Sequence, residues 1–209
     1  LNSPYSRNSE YKDKALYNLG YVYFKRDDYA NAVSYFKRYI NESGRTSKMA
    51  NDALIRIADC YMISKDFGNA ISYYDKALRI NKIESDYALN QKATALGALG
   101  RFNDKIKTLN ALIRNHPRSN LADDAKFEIA NTYLILNNNP KALEYFDKLV
   151  REHPRSNLAI EGLLKTGLIY YNDNKNNNAI NVLKKVIRDY PGTARSEERR
   201  VGKECATGC

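Results

Sequence analysis

RNHPRSNLADDA at residues 114–125 and REHPRSNLAIEG at residues 151–162 are two copies of one pattern, 37 residues apart. Each is followed by an apolar-periodic stretch, a polar loop and a second periodic stretch. A fixed period of this length is the mark of a repeat array, in which each unit is one supersecondary element.

Worked outward from these copies, the frame fits five units. A small residue opens the second half of each unit at Ala32, Ala70, Ala142 and Ala179, with Lys105 as the exception in the third. Twelve positions earlier lies a second small residue: Gly20, Ala58, Ala93, Ala130 and Gly167. Three residues on comes an aromatic or Leu: Tyr23, Tyr61, Leu96, Tyr133 and Tyr170. In the second half, large apolar residues follow at Phe36, Tyr74, Leu109, Phe146 and Leu183. Tyr39, Ala77, Leu112, Leu149 and Val186 complete the frame, and Pro117, Pro154 and Pro191 close the last three units.

Offsets of three and four put these residues on one face of a helix. Small residues let two helices approach, and large ones fill the groove beside them. A lone helix pair cannot bury such a face, so neighbouring pairs must stack. Proline ends the second helix, because it lacks an N–H and restricts the residue before it. Ser9, Ser47, Ser119 and Ser156 share a frame position at which first helices should be capped. Asp123 and Asp124 then fall in a first turn, where the helix dipole favours negative charge. First helices are expected near 10–25, 48–63, 86–98, 120–136 and 157–172, and second helices near 29–42, 67–80, 102–114, 140–152 and 176–189. No stretch sustains a period of two, so the fold is expected to be all-α. The frame makes Ala130 a close-approach position and leaves Lys126 off it, so Lys126→Ala is expected to be nearly neutral.

In its first unit the frame reads Leu16, Leu19, Gly20, Tyr23, Ala32, Phe36 and Tyr39. This resembles the tetratricopeptide repeat family over about residues 10–191. The third unit departs most, with Lys92, Leu96 and Lys105. The resemblance implies a right-handed solenoid of about five antiparallel helix-turn-helix repeats. The units run 35–38 residues, with the excess in a P-x-S-x-x-A connector such as Pro117, Ser119 and Ala122. That connector is similar to a subgroup in bacterial cell-envelope proteins, among them the coordinator of the Tol–Pal system and the outer-membrane assembly lipoprotein. It is also similar to long repeat proteins of Bacteroidetes-type bacteria. A periplasmic or outer-membrane-associated location is the expectation this carries, with the cytoplasm as the alternative.

Residues 195–205, RSEERRVGKEC, resemble a translated sequencing adapter. Continuing the frame would place Arg199, Arg200, Lys203, Glu204 and Thr207 in a core, which cannot pack. The expected organisation is therefore 1–9 as the remnant of a preceding repeat or connector, 10–194 as the array and 195–209 as a non-native tail. The chain begins at Leu1 and is expected to be a piece of a longer protein.

Composition narrows the function classes. The 209 residues are 43% apolar and 28% charged, with a net charge of +10. No Lys/Arg block reaches five residues, which argues against a nucleic-acid footprint. Most of the repeat-frame tyrosines belong to the core pattern rather than to a base-stacking platform. No apolar run is long enough to span a bilayer. His116 and His153, the only histidines, precede closing prolines at equivalent positions and read as helix-end residues. Cys60 reads as a small packed hydrophobe. No metal-ligand spacing, nucleophile elbow or phosphate loop occurs, and the Asn-rich segment 172–178 lacks the pattern of a calcium loop. No catalytic residue, cofactor or metal is expected, so the chain is not expected to be an enzyme.

In tetratricopeptide repeats the inner faces of the first helices line a concave groove. The resemblance carries this groove onto Tyr17, Tyr21, Arg56, Asp59, Asn90, Thr94, Phe127, Asn131, Leu164 and Leu168. Tyr17 and Tyr21 stand where the family's carboxylate clamp needs Asn and basic residues, so a chaperone-tail clamp is not expected. Tyr21 and Phe127 are the expected aromatic anchors. The expected function is a protein-interaction scaffold for a peptide or partner protein. A structural or oligomerisation spacer is the alternative, followed by a nucleic-acid-binding module.

Overall fold

The computed structural model describes residues 4–43, 48–80 and 84–191, with the side chains of 4–10 and 48 excepted. Ten helices and no strand occur among the described residues. They are α1 (Pro4–Lys25), α2 (Tyr29–Ser43), α3 (Lys48–Ile63), α4 (Phe67–Ile80), α5 (Ser85–Ala98), α6 (Phe102–Asn115), α7 (Ala122–Ile135), α8 (Asn139–Glu152), α9 (Asn157–Asn172) and α10 (Asn176–Asp189). The bounds follow the repeat frame closely, with one clear departure. α1 starts at Pro4 rather than near residue 10, with proline at its first position, where a missing N–H is not needed. Ser9 therefore lies inside α1 instead of capping it. Ser47 and the tail 195–209 lie outside the described residues.

The turn inside each pair is one device used five times. Asp27, Lys65, Gly100, Asn137 and Asn174 are left-handed, with φ between +55° and +69°. The N–H of the following residue then reaches back five positions, as from Asp28 to the Tyr23 carbonyl (3.0 Å) and from Asn138 to the Tyr133 carbonyl (2.8 Å). This closure satisfies carbonyls at the end of the first helix. The side chains of Asp28, Asp66 and Asn138 then accept the N–H three residues on and cap the second helix.

The chain divides into two compact units, residues 1–122 and 123–209. In the first, Leu16, Phe36, Tyr39, Ala58, Tyr74 and Ala77 form the core. A Cβ at Gly20 would lie 2.6 Å from the Phe36 ring, so the frame's small residue is dictated by the ring opposite. The Lys105 exception has the same logic reversed. Gly97 replaces the larger residue found next to the aromatic position elsewhere, and its missing side chain leaves room for the Lys105 stem, 3.2 Å from where a Cβ would sit. In the second unit Ala130, Ala142, Phe146, Leu149 and Leu163 form the core. Gly162 of α9 lies over the Phe146 ring, with a Cβ there 3.1 Å from the ring.

Lys126 corrects the sequence reading. It is buried, at 4% exposure, and its ammonium lies 2.8 Å from His153 Nε2 and 3.0 Å from a Glu152 oxygen. An ammonium only donates, so the imidazole nitrogen accepts. Removing this side chain empties a buried position and takes a hydrogen-bond donor from the half-buried His153, so Lys126→Ala is not a neutral change.

Candidate functional site

The first-helix positions separate into three environments. In the first unit Tyr17, Tyr21, Arg56 and Asp59 form one polar network. Asp52, on α3 between these positions, accepts the hydroxyls of Tyr17 (2.7 Å) and Tyr21 (2.6 Å) from α1, and it is joined by Arg56 Nε at 3.3 Å. Asp59 accepts Tyr74 Oη at 2.6 Å and Tyr87 Oη at 3.1 Å, and pairs with Arg56 Nη1. The guanidinium also lies over the Tyr87 ring, 5.7 Å from its centre. One arginine thus joins Asp52 and Asp59, with Glu84 as a third carboxylate at 3.6 Å, and four tyrosines complete the two aspartates across α1, α3, α4 and α5.

The electrostatics follow from burial. Burial pushes the Tyr17 and Tyr21 phenols above their ordinary values, and the Asp52 carboxylate adds to the effect. Asp59 is raised, mainly by its own burial, although the Tyr74 hydroxyl and Arg56 oppose the shift. Burial alone would lower Arg56, but Asp59 and Asp52 outweigh it and hold it above its usual range. A buried charge persists only when paired this way. The network fastens helices together. Asp59 is only 6% exposed, whereas the half-buried Tyr21 and Arg56 also line an open pocket with Phe24 and Ile63.

The second environment is intermediate. Asn90 and Asn131 are half-buried, and the exposed Thr94 turns its hydroxyl back to the Asn90 carbonyl, 3.2 Å away. The third lies in the second unit and is divided. Phe127 is 8% exposed, packed into the core with its ring 5.8 Å from Phe146. It is not an open anchor, contrary to expectation. Leu164 and Leu168, in contrast, are 47% and 58% exposed on α9. They share a pocket with Tyr171, Ile180 and Leu183. In the preceding pair the equivalents of Leu164 and Leu183 are Phe127 and Phe146, both buried. The α9–α10 face is therefore the repeat's own packing surface, with no helix among the described residues laid over it. Sequence reasoning included its two leucines but missed Tyr171, Ile180 and Leu183; the repeat frame marks Leu183, yet only as core.

Cys60 is buried among core residues, and burial pushes its thiol up to about 12, with the Asp59 carboxylate adding to the shift. Among the described residues no group of three His, Cys, Asp or Glu side chains is placed to hold a metal, and no helix is long and apolar enough to cross a membrane.

Solved structures share this architecture at low sequence identity. A MamA structure covers 88% of this chain and 94% of its own, with a TM-score of 0.70 at 17% identity. A tetratricopeptide repeat protein from Parabacteroides merdae covers 86% of this chain and 67% of its own, with a TM-score of 0.68 at 17% identity. YrrB, described as a TPR protein with an unusual peptide-binding site, covers 88% and 90%, with a TM-score of 0.61 at 15% identity. At these identities the likeness shows the fold, a helix-pair solenoid of the tetratricopeptide type. No curated protein sequence is matched. Sequence models described as tetratricopeptide repeat match residues 17–82, 90–157 and 161–193, which is most of the chain. The chain belongs to the tetratricopeptide repeat family.

Proposed function

We propose that this protein is a non-catalytic scaffold that binds a protein segment, with the α9–α10 face as its principal contact surface. The observation that carries the reading is the exposure of Leu164, Leu168, Tyr171, Ile180 and Leu183 on one contiguous face. Apolar patches of this kind mark protein interaction sites. Its repeat equivalents are covered by a helix, so an amphipathic helix or an apolar extended segment matches its shape. The family's general role as a non-catalytic scaffold, and a peptide-binding neighbour such as YrrB, support the same direction. A bacterial envelope location rests on the P-x-S-x-x-A connector alone.

The test is capture from a bacterial envelope lysate by the wild-type chain and by Leu164→Asp with Leu168→Asp. Both side chains are exposed, so the double variant should keep its helical spectrum and melting temperature. Loss of captured protein in the variant, with weak salt dependence in the wild type, supports the reading. A nucleic acid recovered with a salt dependence on the order of 10³-fold would overturn it.

A second reading, as a spacer that self-associates, has its own observation. α1 exposes Leu19 and Val22, whose repeat equivalents Ile57 and Cys60 on α3 are buried. Light scattering over a concentration series separates the two. A mass that rises with concentration and falls back in Leu19→Asp favours the spacer, whereas a constant monomer mass favours the scaffold.

A further inference from the structure

A second surface of the first unit lies between the two second helices, α2 and α4. A pocket of about 730 Å³ is lined there by Lys37 and Ile40 from α2 and by Tyr73, Lys76, Arg79 and Ile80 from α4. Two cations converge on one ring. Lys37 Nζ is 5.5 Å from the centre of Tyr73, and Lys76 Nζ is 3.9 Å from it. Lys37 is also held by the Tyr61 hydroxyl at 3.0 Å.

Among the described residues, none of Lys37, Lys76 and Arg79 has a carboxylate within ion-pairing distance. The two helices cannot supply one from their own length. The sole acidic residue of α2, Glu42, is engaged by Lys12 at 2.6 Å, and that of α4, Asp75, by Lys92 at 2.6 Å. Like charges gathered without a counter-ion repel, and an anion placed among them relieves the repulsion. The half-buried Ile80 and Tyr73 leave apolar area beside the charges, over the buried Ile40.

We propose that this cleft binds an acidic protein segment, setting a carboxylate between Lys37 and Lys76 and an adjacent apolar side chain against Ile40 and Ile80. The cation geometry selects this partner over a nucleic acid. Single-stranded nucleic acid needs open aromatic faces for stacking and cations strung along a backbone. Here the one lining ring is already covered by the two lysines, and the cations cluster around an apolar floor.

The probe is a fluorescein-labelled synthetic peptide of repeated Glu-Glu-Leu-Leu blocks, followed by fluorescence polarisation. Comparison peptides replace Glu by Lys, or Leu by Ser, and an unlabelled single-stranded oligonucleotide serves as competitor. The expected result is saturable binding of the Glu-Leu peptide alone, weakened about tenfold by Lys37→Gln with Lys76→Gln. A control that removes the same charge elsewhere, Lys184→Gln with Lys185→Gln, should shift affinity by less than about twofold. Lys37 also bonds Tyr61, so if the double variant melts early, Arg79→Gln decides, because its side chain is exposed and has no ion pair among the described residues; it should weaken binding by about threefold. Equal loss in cleft and control variants would overturn the proposal, as would equal affinity for the Leu-to-Ser peptide, absence of saturable binding, or preferential displacement by the oligonucleotide.

Discussion

At the scale of single residues, size and charge behave differently as signals. Gly20, Ala58, Ala93, Ala130 and Gly167 are legible from the sequence because the frame repeats and because a small residue has one reading in a helix interior. The Phe36 ring, fully buried against Gly20, shows the reason in space. Ala130→Leu should cost on the order of 1–3 kcal/mol through overpacking, and Gly20→Ala should also destabilise despite its better helix propensity. Denaturant unfolding measures both, and unchanged midpoints would mean that the register is displaced. Lys126 was not legible, because a lysine on a first helix ordinarily reads as solvated. Its burial depends on His153 and Glu152, which lie 26 or more positions away in sequence. Lys126→Ala should lose about 1–3 kcal/mol, and Lys126→Met should recover part of it by restoring the apolar stem.

Between elements, the connector that follows a second helix is tied back to the first helix of the same pair by a recurring polar contact. Ser119 donates to Asp86, and Ser156 donates to Asp123, each at 2.7 Å. Both serine oxygens also accept a backbone N–H two residues on, from Leu121 at 3.1 Å and Leu158 at 3.2 Å. The sequence showed the serines as caps, which Ser156 is, but the aspartate partners were invisible because the contact crosses a whole repeat. The serine hydroxyl lowers Asp86; burial raises Asp123, but Ser156 and the local backbone N–H groups outweigh it and leave it lowered. A carboxyl lowered in the folded state contributes stability that is present above its unfolded value of 3.8 and is lost as pH falls through the folded value. Ser119→Ala with Ser156→Ala should therefore cost about 1 kcal/mol per site at neutral pH, with the difference from wild type shrinking below about pH 4. Comparing variant and wild type isolates these pins from Asp59, whose raised value acts in the opposite sense. Melting temperatures across that pH range provide the check, and a constant difference would contradict the pins.

For the whole molecule, the helix order and the family were legible because each rests on spacing repeated five times. The candidate surface was legible only in part. Which face of each first helix turns inward follows from the frame, but whether a residue there is open depends on its neighbours. Tyr17, Tyr21, Arg56 and Asp59 are tied into one network, Phe127 lies under α9, and Leu164 and Leu168 stay exposed because no helix among the described residues covers them. On the function proposed here, partners meet the protein on the α9–α10 face. The most direct measurement places a photo-crosslinking amino acid at Leu168 and, as a control, at the exposed Lys107 on α6. Irradiation in an envelope lysate should give discrete protein adducts from position 168 and none from position 107. Equal adducts from both positions, or adducts to nucleic acid alone, would contradict the account.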